Sequence, residues 1–180
     1  MKAFFSINAG LITLAMFSAA QENIPDAAPI ADGPLVANPE LDTLDMADML
    51  YKQAQAPATK ENRQEYGRLL DLSLRKYLEF TQRFPQSTQA PLAEDGAAMC
   101  LEGLGRKDEA HGLFLRLIQT GSPALVAASA YRLATDASSA GEIDKAIQYY
   151  QLVIRNAEQN DLKVDAQYRL GRLFLSNGNP

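Results

Sequence analysis

Three almost evenly spaced glycines constrain this 180-residue chain more than any other feature. Gly105 and Gly141 lie 36 residues apart, and Gly178 follows 37 residues later. Gly105 and Gly141 each come after a stretch of helical periodicity, where a glycine lets the backbone enter the left-handed region and end the helix. The spacing therefore predicts a repeated helix–turn–helix unit with a turn at each of these glycines.

Two further positions recur in phase with the first two glycines. A small residue stands five places later, at Ala110 and Ala146, and an aromatic residue follows four places after that, at Phe114 and Tyr150. A small residue lets the two helices of a unit approach closely, and an aromatic ring fills the space between neighbouring units. The pattern favours an all-α fold of stacked helix pairs. An ordinary helical bundle with an accidental period is the alternative.

This Gly-x-x-x-x-Ala-x-x-x-aromatic pattern resembles the tetratricopeptide repeat, a helical pair whose usual period is about 34 residues. The resemblance covers roughly residues 41–180 and is strongest over 93–180. The chain departs from the family in its longer period and in having no Trp. Residues 80–87 are also similar to repeat ends in bacterial envelope proteins of this family, such as the outer-membrane assembly lipoproteins. The lipidation cysteine of those lipoproteins is absent here. The resemblance implies a right-handed helix–turn–helix solenoid.

Apolar periodicity divides residues 41–180 into about three and a half units. The predicted units span about 41–87, 88–121, 122–158 and 159–180, the last being incomplete. In the first unit we predict helices over 41–55 and 60–84, with Thr59 capping the second and with Ser73 and Tyr77 at the small and aromatic positions. The later helices are predicted over 88–104, 106–119, 123–137, 142–158 and, after a cap at Asn160 or Asp161, as far as Ser176.

The first 20 residues have the layout of a secretory signal peptide. Lys2 supplies a short positive region, residues 3–17 are largely apolar, and residues 18–20 are the small residues expected at a cleavage site. Residues 21–40 contain four prolines and are predicted to form a disordered linker. We expect a periplasmic protein with no integral membrane span after cleavage. An uncleaved N-terminal anchor is the alternative.

Composition narrows the classes of function. The net charge of −5 argues against a nucleic-acid partner, because phosphate binding requires a basic face. The chain has one histidine, His111, and one cysteine, Cys100, whereas a structural zinc site needs several such ligands. The adjacent acid pairs at 94–95 and 108–109 point in different directions on a helix and form no acid–base dyad. We therefore predict no catalytic residue, no metal site and no cofactor.

The family resemblance implies a binding surface. In tetratricopeptide proteins the first helices of successive units line a concave groove that binds peptides or partner domains. Residue by residue, the corresponding groove positions in this chain are Asp95, Met99, Glu102, Tyr131, Thr135, Ser138, Tyr168, Arg172 and Leu175. The family's best-known peptide mode clamps a C-terminal carboxylate with Lys and Asn at two of these positions. Only Arg172 is cationic here, so that clamp is absent. Tyr131 and Tyr168 occupy equivalent positions and are expected either to anchor a partner or to pack between units.

The resulting expectation is a non-catalytic scaffold or adaptor of the bacterial cell envelope that binds a protein or peptide partner through this groove. The end of the sequence leaves two alternatives open. In one, the chain is the N-terminal recruiting module of a longer protein whose enzymatic or cell-wall-binding part lies beyond residue 180. In the other, Leu170, Leu173, Phe174 and Leu175 on the last helix are partly exposed and mediate self-association.

Overall fold

The computed structural model of the chain describes residues 38–158, 161–176 and 178. The predicted signal peptide and nearly all of the predicted linker lie outside these residues. The described part contains eight α-helices and no strand, which is compatible with an all-α helical-repeat fold. The helices are α1 Pro39–Gln55, α2 Pro57–Glu61, α3 Arg63–Arg83, α4 Ala90–Gly103, α5 Lys107–Thr120, α6 Pro123–Ser139, α7 Ile143–Asn156 and α8 Asp161–Ser176.

The left-handed turns predicted at the three glycines are confirmed. Gly105, Gly141 and Gly178 have φ angles of 75°, 76° and 73°. At the first turn, the Arg106 N–H donates to the Leu101 carbonyl at 2.9 Å and the Gly105 N–H donates to the Glu102 carbonyl at 2.9 Å. These are the two hydrogen bonds of a glycine-terminated helix. The same two bonds recur one repeat later, at Gly141 and the residue after it.

The first helices differ from the predicted boundaries. Helix α1 begins at Pro39, inside the segment predicted as linker, because the Asn38 side chain accepts a hydrogen bond from the Glu40 N–H at 3.2 Å. The helix predicted over 60–84 is confirmed over Arg63–Arg83, but its predicted start and its cap at Thr59 are wrong. Pro57 starts the short helix α2, since proline is well tolerated in a first turn. Asn62 then caps α3 through the Glu65 N–H at 3.2 Å.

Helix α1 packs chiefly on α3, past the short α2, and the later helices pack mainly against their neighbours in sequence. Helix α4 also contacts both α1 and α6. Two apolar clusters result, one built chiefly by α1, α3, α4 and α5 and the other by α6, α7 and α8. The recurring small and aromatic positions lie inside them: Ser73, Tyr77, Ala110, Phe114, Ala146 and Tyr150 are all buried. Ser73 satisfies its hydroxyl by donating to the Ala47 carbonyl at 2.8 Å, which joins α3 to α1.

None of the described helices is both long enough and apolar enough to cross a membrane.

Candidate interaction surface

The sequence-predicted groove residues lie on three helices, α4, α6 and α8, and α1 continues the same surface. We call α1, α4, α6 and α8 the first helices, because each precedes the partner helix of its unit or, for α8, occupies the corresponding position. Helix α4 lies against α1 on one side and α6 on the other. A hydrogen bond from Arg132 to Glu102 joins α6 to α4, and one from Tyr131 to Asp165 joins α6 to α8. The surface formed by these four helices is here named the first-helix face.

A cleft with a volume of about 460 Å³ lies on this face, between α1 and α4. We name it the α1–α4 cleft. Its apolar walls are formed by Leu41 and Leu44 from α1 and by Leu92 and Met99 from α4. Leu41 and Leu92 are exposed to solvent and the other two are half-buried. The cleft therefore offers apolar area to a ligand that enters from solvent.

The aromatic ring of Tyr77, on α3, forms the floor of the α1–α4 cleft. Tyr77 is buried against the backbone of Gly96 on α4, so closely that a Cβ atom on Gly96 would lie 2.4 Å from the ring. The Tyr77 hydroxyl donates a hydrogen bond to Asp48 of α1 at 2.5 Å. Burial and this hydrogen bond both raise the pKa of Tyr77. Gly96 thus lets one tyrosine tie α1, α3 and α4 together.

Asp95 also lines the α1–α4 cleft, and it differs from the other carboxylates nearby. Its Oδ1 atom is shielded from solvent and accepts no hydrogen bond from any described residue. Burial raises the pKa of Asp95, and the positive charge of Arg132 only partly offsets that effect. Arg132 itself donates its hydrogen bond to Glu102. The cleft therefore contains a carboxylate that lacks a donor.

Tyr131 has a structural environment within the first-helix face. Its ring packs edge-on against Tyr150, with the centroids 6.1 Å apart, and its hydroxyl donates to Asp165. Arg169 lies over the same ring at 5.8 Å and donates to Asp165 at 2.5 Å. These hydrogen bonds, first from Tyr131 and then from Arg169, lower the pKa of Asp165. Tyr131 thus holds α6, α7 and α8 together.

Tyr168 is placed quite differently from Tyr131, although the two occupy equivalent positions. Its side chain is 63% exposed, and Arg172 lies over its ring at 5.9 Å. Among the described residues no ring contact joins Tyr168 to Tyr131. Among the described tyrosines of the first-helix face, Tyr168 is the exposed one, whereas Tyr51 and Tyr131 are half-buried.

The remaining predicted groove residues are spread along the same face. Met99 lies in the α1–α4 cleft, and Glu102 pairs with Arg132. Thr135 and Ser138 are half-buried on α6, where the Thr135 hydroxyl donates to the Arg132 carbonyl at 2.8 Å.

Helix α8 carries an exposed apolar stripe at Val164, Tyr168 and Leu175, with Leu175 74% exposed. Leu170 and Phe174 are half-buried, as expected from the sequence. The expectation that Leu173 is partly exposed is wrong, because this side chain is buried against the α6–α7–α8 cluster.

Neither the histidine nor the cysteine is among the residues that line the α1–α4 cleft. His111 on α5 is partly exposed and pairs with Asp136 on α6 at 2.8 Å, and Lys107 approaches the same carboxylate at 3.7 Å. Cys100 is fully buried, and its burial raises the pKa of the thiol to about 11. Across the described residues there is no group of three or more His, Cys, Asp or Glu side chains that could hold a metal ion.

Sequence reasoning missed the part of the cleft that comes from the first unit. Asp48 and Tyr77 are 29 residues apart, and nothing local in the sequence pairs them. Gly96 was the available signal. A glycine in a helix interior costs about 1 kcal/mol relative to alanine, so its presence there indicates a close approach by another group.

Comparisons with protein-family models, with curated proteins and with solved structures gave no match.

Proposed function

We propose that this chain is a non-catalytic adaptor that binds a protein or peptide partner through the first-helix face. In this proposal residues 41–180 form a tetratricopeptide-like solenoid, and the first-helix face is its concave groove. The observation that carries the proposal is the α1–α4 cleft, which combines exposed apolar walls with polar groups on the face where this repeat family binds its partners. The repetition of the same glycine-terminated turn at Gly105 and Gly141 supports the repeat class.

The proposed location is the periplasm of a bacterial cell, where the adaptor would serve envelope assembly or maintenance. Support for export comes from the charge, apolar and small-residue pattern of residues 1–20. Support for the process comes from the similarity of residues 80–87 to envelope tetratricopeptide proteins.

The test is site-specific photocrosslinking in the native cells. A photoreactive phenylalanine analogue is placed at Met99 or Tyr168 on the first-helix face. The matched controls are Gln119 on α5 and Gln148 on α7, which are exposed residues of second helices. We expect one and the same protein to crosslink from both first-helix positions and from neither control position.

A captured partner must then bind the purified chain. Tyr168→Ala and Met99→Ala remove accessible apolar area and are expected to weaken binding, whereas Gln148→Ala leaves it unchanged. Tyr131→Ala is a poor test, because Tyr131 packs on Tyr150 and bonds to Asp165. Equal crosslinking from all four positions would contradict the proposal. Capture of a second copy of the chain from Tyr168 alone would instead make the apolar stripe of α8 a self-association surface.

A further inference from the structure

The charges around the α1–α4 cleft are unevenly distributed. Three carboxylates line it, at Asp45, Asp48 and Asp95, against one cationic side chain, Lys52. Asp48 already accepts a hydrogen bond from Tyr77, and Asp45 is exposed to solvent. Asp95 is the partly buried carboxylate whose Oδ1 atom has no donor among the described residues. Because Oδ1 is closed to solvent, a ligand in the cleft stabilises the ionised carboxylate through its positive charge rather than through a hydrogen bond to that atom.

The apolar walls of the cleft restrict what kind of donor fits. Leu41 and Leu92 stand exposed at its edges, and Leu44 and Met99 lie further in. Lysine and arginine side chains bury an aliphatic stem along apolar surface while their charged end reaches a polar group. A hydrated metal ion would gain nothing from such walls, and the described residues contain no cluster of ligands for one.

From this geometry we infer that the α1–α4 cleft binds a lysine or arginine side chain of a partner protein segment, with Asp95 as the counter-ion and the leucine and methionine walls around the aliphatic stem. This inference rests on the proposed function and adds the chemistry of the partner to it. A protein segment is the committed occupant, because the cleft opens onto the first-helix face, where further polar and aromatic groups are available to a longer chain.

The test uses the full chain without its first 20 residues and short acetylated, amidated peptides with a fixed central residue. The central residue is Lys, Arg, Gln, Met or Glu, and the flanking positions are randomised equally in each set. We expect the Lys and Arg sets to bind about tenfold or more tightly than the Gln and Met sets, and the Glu set to bind most weakly. Equal binding of all five sets would overturn the inference.

Two variants show whether Asp95 causes this preference. Asp95→Asn keeps the shape of the side chain and removes its charge. Glu158→Gln removes one charge from an exposed residue outside the cleft. We expect Asp95→Asn to abolish the preference for basic peptides and Glu158→Gln to retain it. If Asp95→Asn retains the full preference, general negative charge attracts the peptides and the inference fails. Circular dichroism must show both variants to be folded.

A competition arm separates a protein segment from a small basic molecule. Free lysine amide is added in excess to the wild-type chain with a Lys-centred peptide. If lysine amide alone binds as tightly as the peptide, the occupant is a small cation and the inference is overturned. Failure of the inference is distinguishable from failure of the proposed function, because the crosslinks from Met99 and Tyr168 require only that some partner occupies the first-helix face.

Discussion

Replacing Gly96 by alanine tests the packing that forms the α1–α4 cleft. A Cβ atom there would lie 2.4, 2.6 and 2.7 Å from three atoms of the Tyr77 ring, whereas carbon atoms normally pack at about 3.5–4.0 Å. The ring cannot rotate away without losing the hydrogen bond from its hydroxyl to Asp48. Overpacking of this kind costs about 1–3 kcal/mol.

Gly112 provides the matched control for this substitution. It lies inside helix α5, and a Cβ atom there would meet nothing within 4 Å. Alanine at a helix interior gains about 0.5–1 kcal/mol over glycine, and this gain applies equally to both positions. We therefore expect Gly112→Ala to stabilise the chain, and Gly96→Ala to be about 1–3 kcal/mol less stable than Gly112→Ala.

Urea unfolding followed by circular dichroism measures the difference. A second pair of variants, Tyr77→Leu with and without Gly96→Ala, identifies the cause, because the penalty at position 96 should disappear once the ring is gone. Equal stability of Gly96→Ala and Gly112→Ala would refute the close ring–backbone contact, and with it the floor of the cleft.

Three further results are expected. Because burial raises the pKa of Asp95 in the folded state, ionised Asp95 lowers the stability of the wild type at neutral pH, and this loss is regained as the pH falls through the folded pKa. The stability of Asp95→Asn relative to wild type should thus decrease from pH 7 to below the ordinary aspartate pKa of about 3.9. A stability difference that does not change with pH would contradict this. The buried Cys100 thiol, with its pKa raised to about 11, should react with iodoacetamide slowly in the native protein and quickly in urea, and rapid native labelling would show that the thiol is accessible. N-terminal sequencing of the protein from its native cells should begin at Gln21, and a chain that still begins at Met1 would support the uncleaved anchor.

Local features of the sequence predicted the helices and turns well. The turn at Gly105 depends on a backbone conformation that glycine alone adopts easily, and the helix after it depends on an apolar period that can be read directly. The boundary near Thr59 failed because two capping signals compete there. Pro57 starts a helical turn and Asn62 starts another, and the sequence does not rank them.

The contacts within the first-helix face depend on tertiary structure and were not predictable in detail. The resemblance indicated which helix positions lie on the same face of the repeats. It did not indicate which of those side chains already contact other residues of the chain. Arg132 donates a hydrogen bond to Glu102, 30 residues earlier, and Tyr131 donates one to Asp165, 34 residues later. These contacts depend on the rotation of each helix and on the length of the side chains. Like Glu102, Asp95 is an acidic residue on α4, but its Oδ1 atom has no hydrogen-bond donor among the described residues. Nothing in the sequence around Asp95 predicts this difference.

The partner identified by crosslinking is added, without a crosslink, to the full chain. Amide hydrogen exchange with and without this partner then shows which helices the partner covers. If the first-helix face binds the partner, the peptides from α1, α4 and α8 should gain protection from exchange on binding. The exchange of the peptides from α5 and α7 should not change. Protection confined to α5 and α7, with α1 and α4 exchanging as in the free chain, would contradict binding through the first-helix face.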